Sequence, residues 1–309
     1  MIILNYKMSK MKFSILALLL VAGSFSLNGQ LLRTSIDDLN FYADVIANAG
    51  NPIHKQRAHD EFAKIFDEWL NSDQFNVGDL ESIQWLSVKR PENESFTLIT
   101  WQLLKGEKGN HYFGYILKDG KAIKLNSSGD DEDLEYNVLG TNDWAGVMYY
   151  NILTMDKAGE KIYILFGYNA HKNYESRKIA DALTFDNGVP VFGYEIFKRQ
   201  ENENRGVIKN RLVLDYASDS NVSLNFNPNL DMIVFDHLIP RMGRLPGQGP
   251  TMLPDGSYVG YKWDGEYFNY VDKIYHETQA EAPFPKPVLG NDKRNILGMN
   301  QKATKKRKN

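Results

Sequence analysis

The 309-residue chain carries 36 Lys and Arg against 39 Asp and Glu, six His, no Cys and 42% apolar residues. A net charge of −3 argues against the clustered basic face that nucleic-acid binding requires. Without Cys there is no disulfide, no thiolate metal site, no thiol nucleophile and no lipidated-Cys membrane anchor, so stability must come from a buried core.

Residues 11–30 read MKFSILALLLVAGSFSLNGQ. Lys10 and Lys12 precede an apolar run, Phe13 to Leu27, that is short for a bilayer span, and the small Gly29 stands before Gln30. This is the pattern of a secretory signal peptide, expected over 1–29, with Met8 or Met11 as the true start if 1–10 lies upstream of it. The lysines of that segment set aside, 33 basic groups face 39 acidic ones. No second apolar run of about 18 residues follows, so the mature chain is expected to have no membrane span.

Residues 30–75 predict a helical hairpin. Ser35 and Asp38 have capping-box spacing, and Ile36, Leu39, Tyr42, Val45 and Ile46 recur at helical intervals. Asn51-Pro52 then restarts a helix, with Asn as cap and Pro in the first turn, where its missing N–H costs nothing. Ala58, Phe62, Ile65, Phe66 and Trp69 form its apolar stripe.

From 76 to 275 the signal is strands and tight turns, supported by 17 Tyr and 16 Phe. Ser95–Leu104 opens the series. His111–Lys118 and Lys121–Leu125 flank Asp119-Gly120; Trp144–Met155 and Lys161–Tyr168 flank a turn at 157–159; Lys178–Phe185 and Val189–Phe197 flank Asp186-Asn187-Gly188. Gly206–Tyr216, Val222–Phe226, Met232–Phe235, Tyr258–Trp263 and Tyr267–Val271 complete it. The expected fold is mainly β: an antiparallel meander forming a sandwich, open barrel or curved sheet, with an N-terminal helical hairpin. Residues 276–309 are expected to form a disordered tail in which Lys302, Lys305, Lys306, Arg307 and Lys308 cluster.

One segment stands out as a ligand-binding candidate. A strand is expected to end at Asp236-His237, followed by a Gly/Pro-rich loop to residue 250 bearing Arg241 and Arg244. Carboxylate, imidazole and two guanidinium groups suit a proton relay or an anion fork, although neighbours on a strand point to opposite faces. The alternative is that Asp236 caps a turn and His237 is structural. Tyr261 and Trp263 share a strand face and would stack on a sugar or partner if exposed, or pack in the core if not.

The other signals are weaker. His54 and His59 fall about 140° apart on a helix, and no pair among His54, His59, His111, His171, His237 and His276 has metal-ligand spacing. Asp130, Asp131, Glu132, Asp133 and Glu135 form an acidic loop that departs from the calcium-loop pattern at its Gly and final Glu positions. There is no phosphate-binding Gly loop and no serine-nucleophile elbow. No metal, cofactor or catalytic residue is assigned.

The phrases ITWQ (99–102), KIYILFGYNAHKNYESRKIADALTF (161–185), PVFGYEIFK (190–198), VLDYASDSNVSLNF (213–226) and IVFDHLIP (233–240), followed by LPDGSYVGYKWDGEYF, resemble a family of secreted Bacteroidetes proteins of unknown function. The resemblance covers about 95–272. It implies a periplasmic, surface or secreted location and carries no site residues. The expected function is non-enzymatic binding of an envelope protein or glycan; the alternative is an exported hydrolase of glycan, peptide or phosphoester acting near the 236–250 loop.

Overall fold

The computed structural model describes residues 36–104, 110–127, 133–172, 174–202 and 205–274. The expected signal segment 1–29, Ser35, Asp130–Glu132 and the basic tail 276–309 lie outside the described residues.

Helix α1 spans 36–48 and α2 spans Pro52–Leu70. Asn51 caps α2 by accepting the Ile53 N–H at 2.9 Å, and Pro52 occupies the first turn. A 3-10 turn, Val77–Ser82, leads to the strands. The first sheet has the order β1 (Ser87–Lys89), β2 (Thr97–Leu104), β3 (Asn110–Lys118), β4 (Lys121–Asn126). The middle sheet runs β11 (Arg211–Ala217), β7 (Glu175–Asp186), β6 (Glu160–Lys172), β5 (Met148–Lys157), with β8 (Val189–Phe192) paired to β7. The third sheet runs β10 (Arg205–Lys209), β9 (Phe197–Asn202), β15 (Phe268–Val271), β14 (Pro250–Trp263), β13 (Met232–Met242), β12 (Leu224–Asn227). Its β15–β9 pairing is parallel; every other strand pair is antiparallel.

Side-chain alternation turns these elements into a four-layer stack with three cores. One face of the first sheet (Ile99, Trp101, Leu103, Tyr115) packs on Phe62, Phe66 and Trp69 of α2 and Leu39 of α1. The helical pair therefore buries its stripe on β2 and β3 rather than forming a core of its own. The other face (Leu98, Tyr112, Ile116) meets Tyr163, Leu165 and Ile179 of the middle sheet. The far side of the middle sheet (Ile162, Ile164, Phe166) meets Phe235, Tyr261 and Phe268 of the third. The expected β-rich fold with N-terminal helices is thus realised as stacked open sheets.

Two features depart from the sequence reading. Val189–Phe197 is two strands, because Gly193 at φ 102° turns the chain out of the middle sheet towards β9 in the third. The expected strand end at Asp236-His237 is not an end: β13 continues to Met242 and β14 begins at Pro250, so the connection shrinks to 243–249. Pro240 and Pro254 suggest a loop in the sequence. They fit strands here because β12 pairs β13 only over Met232–Phe235 and β15 pairs β14 only over Gly260–Trp263, leaving the later part of β13 and the early part of β14 as edges where a missing N–H is tolerated.

Candidate functional site

A cleft of about 540 Å³ opens between the free edge of β11 and the inner face of the third sheet. Its Arg and Lys side chains are already engaged, and Asp133 and Asp236 add two further carboxylates to the lining. Arg177 on β7 lies opposite Asp215 on β11 and donates to both carboxylate oxygens, at 2.5 and 2.9 Å. Lys209 donates to Glu135. Arg199 lies over the Tyr270 ring, 4.4 Å from its centroid. Tyr261 contributes the floor, and burial holds its hydroxyl well above the ordinary phenol range.

His237 lines the same cleft from a bulge. Asp236 pairs with Tyr258 and Leu238 with Pro254, so Asp255–Ser257 is an extra loop opposite His237, with Gly256 at φ 88°. That bulge brings Asp255 Oδ2 to 2.8 Å from His237 Nδ1. The other carboxylate oxygen, Oδ1, accepts the Ser257 hydroxyl at 2.7 Å and the Ser257 N–H at 2.9 Å. The Ser257 hydroxyl, then His237, hold the Asp255 carboxyl well below the usual carboxylate range.

A carboxyl depressed in the folded state adds stability that is complete above its unfolded value, near about 4, and is lost as pH falls through the lower folded value. The stability gap between the native protein and Asp255→Asn, from urea denaturation, is therefore expected to be present at about pH 5 and to shrink progressively as pH falls below about 4.

The six sequence candidates separate. Asp236, His237 and Tyr261 line the cleft; Arg241, Arg244 and Trp263 do not. Asp236 accepts the Ser223 N–H at 2.7 Å and hydroxyl at 2.6 Å, locking the 223–224 corner to β13. It does not bond His237, in keeping with the opposite-face argument. Arg244, at the hairpin tip, donates to Ser220 at 2.8 Å and lies 3.0 Å from Asp219, while Arg241 is exposed on the same arm. Tyr261 is only 2% exposed and its ring packs on Phe197 and Phe235, so it offers no open stacking face. Half-buried Trp263 packs on Phe268. Elsewhere, His59 is buried against Phe113 and Trp101, and His54 is exposed.

Sequence reasoning missed Asp255, Arg177, Asp215, Arg199 and Lys209, and saw Glu135 only as part of an acidic loop. Asp255-Gly256 is a turn dipeptide and was the one available sign of a bulge. The others come together only through pairing between distant strands. Among the described residues no group of three His, Asp or Glu side chains is arranged to hold a metal, and no described helix is long and apolar enough to cross a membrane. No protein-family model, curated protein or solved structure matches the chain.

Proposed function

We propose that the chain is an exported bacterial binding protein that takes a neutral glycan segment into this cleft. The supporting observation is the state of its charges. Arg177 and Lys209 already face carboxylates, and Arg199 already covers an aromatic ring. A cleft with paired charges has little excess field to recruit a phosphate or other anion. It does present adjacent donors and acceptors at fixed spacing, which suits the neighbouring hydroxyls of a sugar, beside the Tyr270 ring. The signal-like segment 11–30 and the Bacteroidetes resemblance support export to the envelope or beyond.

The test is calorimetric titration of the full chain with maltohexaose, xylohexaose, mannohexaose and chitohexaose. At least one is expected to bind saturably, and Arg199→Ala to weaken it at least tenfold with an unchanged circular dichroism spectrum. Arg199 is exposed, so its loss leaves the core intact. Failure of all four sugars sinks the glycan reading.

A hydrolase is the second reading, favoured by the His237–Asp255 pair. A carboxylate on Nδ1 orients an imidazole as a general base. Yet Ser257 gives its hydroxyl to Asp255 rather than to His237, so it is not poised as a nucleophile activated by that imidazole. New reducing ends on prolonged incubation, abolished by His237→Ala, would move the assignment to this reading.

A further inference from the structure

We infer that the first sheet accepts an extended acidic-apolar peptide from another protein as an added strand beside β2. β1 covers the outer edge of β2 only over Leu98–Thr100, whereas β3 covers its other edge along the full length, from Thr97 to Leu104. Every second residue in Trp101–Leu104 therefore turns its N–H and C=O towards a side where no strand of the described residues pairs with it, with Met148 of β5 lining the space there. An apolar groove of about 520 Å³ lies there, between that edge and the helical pair. Its walls include Ala47, Phe62, Leu86 and Trp101.

The chain is bent away from this edge by an unusual residue. Trp85 sits at φ 64°, a left-handed conformation that bulky side chains rarely adopt. Both flanks hold it there. Asn40 of α1 accepts the Gln84 N–H at 2.7 Å and donates to the Ser82 carbonyl at 2.9 Å; on the other side the Ser87 hydroxyl donates to the Tyr149 carbonyl. The kink stops β1 at Ser87 and leaves the indole 53% exposed at the groove. A strained residue maintained by its surroundings, beside an open strand edge, is the arrangement expected of a clamp.

Charge selects the occupant. Three charged side chains line the groove: Lys55, Glu81 and Lys89. Arg90 neutralises Glu81 at 2.6 Å, and neither lysine has a carboxylate partner among the described residues. The rim is therefore positive. A strand with apolar side chains for the groove and carboxylates for the lysines matches it, as main-chain pairing gives affinity and pockets give selection.

The test uses fluorescein-labelled hexapeptides of the form Val-Thr-Xaa-Val-Glu-Glu, with Val, Leu, Phe or Tyr as Xaa, and the same peptides ending in Lys-Lys. Fluorescence anisotropy with the full chain is expected to show saturable binding of at least one Glu-ended peptide and at least tenfold weaker binding of its Lys-ended twin. Ala47→Phe, which fills the groove, is expected to lower affinity at least tenfold while Trp85→Gly, which keeps the backbone permissive, lowers it by loss of the indole. Hydrogen exchange of those amides among 101–104 that turn away from β3 is expected to slow on peptide addition. Equal binding of both charge types, or none by any peptide, overturns the proposal. So does protection of those amides without peptide. If that protection vanishes on deleting 275–309, the occupant is the chain's own tail; if it grows with protein concentration, it is a second copy.

Discussion

Asp181→Ala is expected to lower stability by about 3–5 kcal/mol, the cost of leaving a buried charge unpaired. Asp181 and Arg211 are both fully buried in the core between the first and middle sheets, joined at 2.9 Å. Burial pushes the Asp181 carboxyl above its usual range, while Arg211 and the Tyr149 hydroxyl at 3.3 Å favour its charged form. Trp144 Nε1 in turn donates to the Tyr149 hydroxyl at 3.1 Å. Removing the carboxylate leaves a buried guanidinium without its counter-charge. Replacing both residues, Asp181→Leu with Arg211→Met, removes the orphaned charge and is expected to cost less than Asp181→Ala alone. The double variant still pays for two carbonyls, because Arg211 also donates to Leu134 and Asn137, the latter at 2.9 Å. Those carbonyls flank Glu135, the cleft partner of Lys209. Urea denaturation of Asp181→Leu, Arg211→Met and their combination gives the coupling, and sugar titration of the double variant is expected to show weakened binding with the fold retained.

Phe62→Ala is expected to cost about 3–5 kcal/mol as well, by emptying the centre of the helix–sheet core. Phe62 is fully buried, stacks on Phe66 at 5.4 Å and meets the edge of Trp101 at 5.5 Å. The collapse available is small, since Phe66, Trp69 and Trp101 already touch one another or their neighbours around it. Phe62→Leu keeps most of the volume and is expected to cost under about 1.5 kcal/mol. Tryptophan emission in urea reports the loss directly, because Trp69 and Trp101 lie in this core. An Ala variant as stable as the native chain would mean that the helices contribute little to holding the first sheet.

The local geometry of this fold is legible in its sequence to a large extent. Asp119-Gly120 and Asn187-Gly188 adopt paired positive φ values (50° and 72°, 49° and 83°), the turn that matches strand twist. The same conformation at Ala158-Gly159 has only the glycine to announce it. The partition into sheets is not legible. β9 finds β15 in parallel across about 70 residues, and β7 pairs with β11 while β8, β9 and β10 intervene in sequence. Nothing in a strand's own alternation names its partner. The site inherits that difficulty: Asp236, His237 and Tyr261 are visible as a polar and aromatic cluster, whereas Asp255 reaches His237 only through a bulge. Tyr261 and Trp263 share a face as read, but the pattern of that face is the same whether a core or a ligand covers it.

The middle sheet is sandwiched from both sides, and this leaves a mark on the chain's behaviour before it folds. From Ile162 to Phe166 every side chain is buried, so the run lacks the polar alternation that would discourage self-association. A five-residue window of that kind, rich in β-formers and free of Pro, is a seed for cross-β stacking while its covering layers are absent. Glu160 and Lys161 at its start and the glycine at 167 at its end stand as gatekeepers.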